Sequence, residues 1–254
     1  MHAHNAKTRF SERASDYSKY RPSYPAEIVQ FILQHCSVNR SWVITDIGSG
    51  TGISTNLLLS LLCRVVGVEP NEKMRQIAER NLGDNPLYSS VVGSAEETNL
   101  PSSSVNMVAS FQAFHWFERE KTRKEFRRIL DDSKWVLIVW NDRVTDKPGF
   151  LEGYEGLLKN LPEYTNVNHR NVTIDDVAAF VGSERIIRLT LPYSQRLDWD
   201  GLKGRFSSSS YTPKPGTPEA HKLLLDLKGL FDNHQVRGRI EFMYNTEIYL
   251  AQMR

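Results

Sequence analysis

Four short clusters, each directly following an apolar run, hold the residues able to do chemistry. The first is Asp46-Ile47-Gly48-Ser49-Gly50-Thr51-Gly52. Three alternating glycines let the backbone turn tightly and approach a ligand without Cβ clashes. A strand pattern before the loop and a helix pattern after it suit a nucleoside-type ligand, although a tight strand-to-helix turn is the plainer alternative. A dinucleotide loop needs Gly-x-Gly-x-x-Gly. Counted from Gly48 the last position is Ile53, and counted from Gly50 it is Thr55, so pyrophosphate binding is disfavoured. The second cluster is Glu69-Pro70-Asn71, 19 positions beyond Gly50. A carboxylate there has two oxygens at the right separation for both hydroxyls of a ribose. The alternative is an acid stabilised at a helix N-terminus.

The third cluster is Gly93-Ser94-Ala95-Glu96-Glu97 followed by Leu100-Pro101, with Glu96 expected as a structural or capping acid. The fourth is Ser110-Phe111-Gln112-Ala113-Phe114-His115-Trp116-Phe117. An aromatic cluster at a strand end can simply close the core, but this one stands beside the glycine loop. His115 is the candidate for moving a proton, set against the ordinary role of a hydrogen-bonded surface histidine.

These clusters need a scaffold that brings them together. Residues 42–48 read as a buried parallel strand, and Ile53, Leu57, Leu58, Leu61 and Leu62 line one helix face. Further strands are expected at 64–69, 87–92, 105–111 and 135–140, with helices opening at Asn71 and spanning about 118–130. Strands alternating with helices predict βαβ units and a parallel sheet. In the second half, 149–182 reads as helical with a Pro-Glu-Tyr turn near Pro162, 185–193 as a strand and 218–234 as a helix. Residues 239–252 alternate strictly, as a half-exposed antiparallel strand does. The expected fold is α/β: a doubly wound, mostly parallel seven-stranded sheet with an antiparallel final strand and helical insertions. Ligands of such sheets bind beyond the carboxyl ends of the strands, where all four clusters fall.

The pattern Asp-x-Gly-x-Gly-x-Gly resembles motif I of the class I S-adenosylmethionine-dependent methyltransferases. In order and spacing the other three clusters are similar to that family's later motifs, over residues 43–140. This resemblance implies S-adenosylmethionine as cofactor. Asp46 would organise the methionine end with Gly48, Ser49, Gly50 and Gly52, and Glu69 would take the ribose. Pro70, Met74, Ser94 and Ala95 would border the adenine. Backbone groups of Ser110 and Phe111 would hold the methionine part, with Gln112 and His115 facing the methyl group. Phe10 to Pro25 looks like the amino-terminal segment of the methyltransferase type 11 group. Ala113 to Phe117 is similar to a segment of trans-aconitate methyltransferase-like proteins, and Ser207 to Pro213 also looks like that group. One departure is Asp131-Asp132-Ser133-Lys134, where relatives usually turn on Pro-Gly-Gly; changed turn geometry is expected there.

A lid segment is expected over 1–40, ahead of the methyltransferase domain at 41–254, with substrate-cap insertions at about 149–182 and 198–235. Tyr17, Tyr20 and Tyr24 would share a side if their segment is helical. Tyrosine faces attract a sulfonium by about 0.5–2 kcal/mol. Arg21 could neutralise a carboxylate of cofactor or substrate. Trp116, Phe117, Trp140, Tyr154 and Tyr211 are expected, from position alone, to wall the acceptor pocket.

The formal charge of +2, from 32 basic and 30 acidic side chains, does not call for a nucleic-acid partner. Only Cys36 and Cys63 are present, both in apolar surroundings, which favours reduced thiols and a cytoplasmic setting. No apolar stretch approaches the roughly 20 residues of a membrane span, the first twenty residues do not read as a secretory signal, and no metal site is expected. The leading expectation is O- or C-methylation of a small-molecule acceptor, a carboxylate included. A protein or RNA methyltransferase is disfavoured, because a basic stripe and an Asn/Asp-Pro-Pro-Tyr/Phe segment are both missing. Asp46 and Glu69 do not by themselves distinguish an enzyme from a non-catalytic cofactor-binding module.

Overall fold

The computed structural model describes residues 18–164, 173–209, 211–214 and 216–254. Its strands are β1 (Val43–Ile47), β2 (Arg64–Val68), β3 (Tyr88–Val91), β4 (Val105–Phe111), β5 (Leu130–Arg143), β6 (Ile187–Leu197) and β7 (Ile240–Gln252). They form one sheet in the order β3-β2-β1-β4-β5-β7-β6. The first five run parallel, and β7 is antiparallel to both of its neighbours. The expected sheet and its single reversed strand are both present.

Helices cover the sheet because their apolar stripes match its two faces. On one side α1 (Glu27–His35) and α2 (Ile53–Leu59) place Ile28, Phe31, Ile32 and Leu58 against Ile44, Met107, Leu137 and Val139. On the other, α4 (Arg119–Ile129) and α6 (Ile174–Val181) set Phe126, Ile129, Val177 and Phe180 against Val108, Val136 and Ile138. Alternate residues of β5 thus feed opposite cores, as the period of two requires. Between β2 and β3 lies α3 (Glu72–Leu82), started by Asn71, whose side chain accepts from Met74 N at 3.2 Å.

A third core belongs to the cap. Helices α5 (Phe150–Lys159), α7 (Trp199–Ser207) and α8 (Pro218–His234) pack Tyr154, Leu158, Leu202, Phe206 and Leu227 against Leu197, Ile240 and Phe242. Arg143, the last residue of β5, is in register with Tyr244, so Ile240 and Phe242 lie on β7 beyond the carboxyl end of β5. The cap therefore stands at the sheet edge from which the four clusters emerge.

Three elements differ from expectation, the first being α2, which stops at Leu59 so that Leu61 and Leu62 follow it in a turn, with Leu62 exposed at φ +57°. β5 begins at Leu130 rather than Trp135: between two successive pairings β4 advances from Val105 to Met107 while β5 advances from Leu130 to Trp135. The extra residues form a bulge, with Lys134 at φ +52° and Ser133 N donating to Asp131 Oδ1 at 2.8 Å. It occupies the amino end of β5, opposite the edge carrying the clusters. The turn expected near Pro162 is present between α5 and α6, and Thr173 with Asp176 builds a capping box for the second. β6 runs on to Leu197, where Asp198 caps α7 by accepting from Gly201 N at 2.8 Å. Pro192 is tolerated inside β6 because β6 is an edge strand. Among the described residues no helix is long and apolar enough to cross a membrane.

Candidate active site

The glycine loop takes the shape its sequence demands. Gly48, Gly50 and Gly52 all have positive φ, at +72°, +56° and +87°. A Cβ on Gly48 would stand 2.7 Å from Ala113 Cβ, which locks this loop against the one after β4. One on Gly52 would stand 2.8 Å from Leu82 Cδ1, where α3 packs close. Gly50 is different. Nothing comes nearer to its Cβ position than Met74 Cε at 3.6 Å, so its open side can receive a ligand. Ser49 is buried between these turns, with Gly48 N and Ser49 N both donating to Val68 O.

Asp46 has no exposed surface. Its Oδ2 accepts from Ser54 Oγ and Thr55 Oγ1, both at 2.7 Å, so the carboxylate ties β1 to the start of α2. Its Oδ1 has no hydrogen-bond partner among the described residues. Burial pushes the carboxyl up to about 6, against the opposing effect of the two hydroxyls. One side of the group is thus committed to the fold and the other is left for a donor.

Glu69 is also buried, and it reaches across the loop. Its Oε2 accepts from Gly50 N at 2.9 Å and its Oε1 from Asn71 N at 2.8 Å. The carboxylate clamps the glycine loop to the head of α3, and each oxygen keeps a second lone pair for a hydroxyl donor. Burial raises its pKa, the two backbone donors lower it and the charge of Asp46 raises it further. Pro70 is half-buried beside it, and Met74 is buried with its Cε toward Gly50.

The loop after β3 is closed on itself by Ser94 N donating to Glu97 O at 2.8 Å, with Ala95 packed into the core and Ser94 half-buried. Glu125 of α4 holds it from below, taking Thr98 N at 2.9 Å, while Arg128 holds Leu100 O at 2.8 Å. Glu96 accepts from Glu118 N at 3.0 Å, at the N-cap position of α4. After β4, Ser110 is buried with no hydrogen-bond partner for its Oγ among the described residues, and Phe111 is buried beside it. Gln112 sits at φ +56° and donates through Nε2 to Asn141 O at 3.0 Å. Phe114 to Trp116 form a single 3-10 turn in which half-buried His115 lies 4.9 Å from the Trp116 ring.

The amino-terminal segment crosses this edge as a strap rather than as a continuous helix. Only 18–20 are helical among its described residues, and Tyr17 lies outside them, so Tyr20 and Tyr24 do not share a helix side. Tyr20 packs on Gly204 of α7, and Tyr24 meets Phe111 edge-on at 4.8 Å. Arg21 donates to Ser208 O at 3.0 Å, and Asn141 Nδ2 to Ser23 O at 2.9 Å. The strap therefore joins the β4 and β5 ends to the cap. Of the expected wall residues, Trp140 faces away, stacked on Tyr249 at 5.2 Å in the α4 and α6 core, and Phe117 packs against the same core. Tyr154 is wholly enclosed in the cap.

Sequence reasoning missed Arg143, Glu155, Tyr164 and Arg205, buried polar residues of the cap. Arg143 pairs with Glu155, and Tyr164 Oη donates to Glu155 Oε2 at 2.8 Å. Tyr211 is half-buried nearby; burial would raise its phenol, but Arg143, Arg205, Arg21 and a bond to Ser209 outweigh it and bring the group to about 8. The available signal was Arg205 at an inward position of α7 between Leu202 and Phe206.

The methyltransferase domain profile matches residues 45–138, the span from β1 to β5 that carries all four clusters. A methyltransferase-like protein of Schizosaccharomyces pombe, itself uncharacterized, is 30% identical over 249 residues, covering 96% of this chain and 94% of the relative. A candidate methyltransferase of Dictyostelium discoideum is 34% identical over 133 residues, 52% of this chain and 48% of the relative. This chain thus spans about half the length of some of the curated relatives it matches. The solved structure of a candidate type II methyltransferase from Anaeromyxobacter dehalogenans shares the fold, with a TM-score of 0.63 at 20% identity over 92% of this chain and 98% of that one.

Proposed function

The chain belongs to the class I S-adenosylmethionine-dependent methyltransferases, and on that premise we propose that it transfers the cofactor's methyl group to a small-molecule acceptor, leaving S-adenosylhomocysteine. The observation that carries this reading is the Glu69 carboxylate, bonded to Gly50 N and Asn71 N with lone pairs to spare at the open side of Gly50. When bound, the sulfonium supplies an activated methyl carbon, and the carbon–sulfur electron pair leaves with sulfur as the acceptor's lone pair forms the new bond.

The chain's own residues have alignment and desolvation as their main tasks. Glu69 holds the ribose hydroxyls. The spare Oδ1 of Asp46 takes the ammonium directly or through a water, and the backbone of Ser110 and Phe111 holds the rest of the methionine end. Gly48, Ser49, Gly50 and Gly52 form the floor; Pro70, Met74, Ser94 and Ala95 flank the adenine. Gln112, His115 and Trp116 face the reacting centre. For a hydroxyl or carbon acid His115 takes the proton, whereas a carboxylate oxygen needs no base. The strap bearing Tyr20, Arg21 and Tyr24 closes over the site and excludes water together with the cap. The Ala113–Phe117 segment supports a place in the trans-aconitate methyltransferase-like branch.

Calorimetry with S-adenosylmethionine and a product assay with the methyl-labelled cofactor against pooled small metabolites test the reading. Glu69→Ala is expected to weaken cofactor binding at least tenfold, from the loss of hydrogen bonds to a charged group worth about 1.5–3 kcal/mol each. Unchanged affinity would show that Glu69 does not hold the ribose. Binding without transfer to any acceptor would make the protein a cofactor-binding module.

A further inference from the structure

Arg205 is a buried cation in the cap with no anion beside it among the described residues. It lies on the inward side of α7, 5% exposed. Its guanidinium donates to Tyr244 Oη at 3.2 Å and to Ser209 Oγ at 3.1 Å, and stands 5.7 Å from the Phe242 ring. Every one of these partners is neutral, and no carboxylate lies within ion-pair distance of Arg205 among the described residues. Buried guanidinium groups are ordinarily matched by an anion, because desolvating an isolated charge is strongly unfavourable.

A second observation falls at the same place. Tyr154 Oη is fully buried and has no hydrogen-bond partner among the described residues, and its phenol feels both Arg205 and Arg143. The half-buried Tyr211 phenol senses Arg143, Arg205 and Arg21 together. The cluster is built from the end of β5, the start of β7, α5, α7 and the amino-terminal strap, and Gln112 links the loop bearing His115 to Asn141, two residues before Arg143.

We propose that Arg205, flanked by Arg21 and Arg143 and by the hydroxyls of Tyr154 and Tyr211, anchors a carboxylate of the methyl acceptor, and that the anchored carboxylate is not the group methylated. This rests on the methyl-transfer reading above. The planar fork of a guanidinium matches the two coplanar oxygens of a carboxylate, and phenol donors complete their shell. A carboxylate held in that way has its lone pairs engaged and its charge offset, so it is a poor nucleophile. The acceptor must then carry a second nucleophilic group, as a hydroxy acid, a phenolic acid or a polycarboxylate does. Arg205 is thereby a specificity-determining residue.

The test uses the full chain saturated with S-adenosylhomocysteine and titrated with succinate, citrate and 4-hydroxybenzoate, each against its methyl ester, with phenyl phosphate as the competing anion. At least one acid is expected to bind at least tenfold more tightly than its ester and than phenyl phosphate. Arg205→Met should weaken that acid at least tenfold with the affinity for S-adenosylhomocysteine unchanged, and Arg205→Lys should recover part of the loss. Equal binding of acids and esters, preference for phenyl phosphate, binding of none of the acids, or full acid binding by Arg205→Met overturns the proposal. If Arg205→Met fails to fold, the acid-versus-ester comparison in the unaltered protein decides alone. Failure of S-adenosylhomocysteine to bind sinks the methyltransferase reading instead.

Discussion

The buried carboxylate of Asp46 makes a measurable demand on the stability of the ligand-free protein. Its pKa moves from an ordinary 3.8 to about 6 because the side chain has no exposed surface and its two hydroxyl partners only partly replace water. A carboxyl whose pKa is raised by folding binds more protons when folded than when unfolded, so stability falls as pH rises between the two values. At 1.36 kcal/mol per pH unit the move is worth about 3 kcal/mol, most of it lost between pH 4 and pH 7. Asp46→Asn removes the titration. The amide oxygen can still accept from Ser54 and Thr55, while the new amino group, at the position of the unpartnered Oδ1, needs an acceptor. That unpaired donor costs about 1–3 kcal/mol, but equally at both pH values. The quantity to read is therefore the difference between variant and unaltered protein, measured by urea unfolding without cofactor at pH 4 and at pH 7. The variant is expected to gain about 2–3 kcal/mol relative to the unaltered protein over that interval. A difference that stays constant within about 0.5 kcal/mol would refute the buried, ionised Asp46 on which the reasoning depends.

The loop glycines should separate stability from ligand binding. Gly52→Ala meets Leu82 and Ala78 at a φ of +87° and should lose about 2–4 kcal/mol in denaturant unfolding, whereas Gly50→Ala, with space around it, should lose less than half as much yet bind the cofactor at least tenfold more weakly in calorimetry. Equal stability losses would refute the packing distinction. Both thiols should be inert: burial pushes Cys63 up to about 11 and Cys36 to about 12, so a disulfide reagent at pH 8 should modify them at least a hundredfold more slowly in the folded protein than in denaturant. Rapid labelling of either would place it at the surface.

Periodicity and turn chemistry are local properties, and what depends on them was legible in the sequence. Val105–Phe111 and Pro218–His234 form as their patterns predict, the glycine loop adopts three positive φ angles, and the strand ends put the four clusters on one edge. The β5 bulge was not legible, because it depends on pairing Leu130 with Val105 across the sheet. The split of 149–182 was legible in part: Pro162 marked the turn, while the capping signal of Thr173 and Asp176 that starts α6 went unread. At the site, residue identities were readable but their partners were not. That Glu69 would clamp Gly50, that Asp46 would turn one oxygen toward α2, and that Trp140 would face the opposite core follow from how strands and helices stack. The arginine and tyrosine cluster of the cap lies furthest from what local patterns reveal. Its members come from segments separated by up to 223 positions, from Arg21 to Tyr244; Arg21, Tyr154 and Tyr211 stood out singly, but Arg143, Arg205 and Tyr244 each read as an ordinary polar residue. Only the folded chain decides that Arg205 is buried away from every carboxylate of the described residues, because burial and charge pairing are set by neighbours in space.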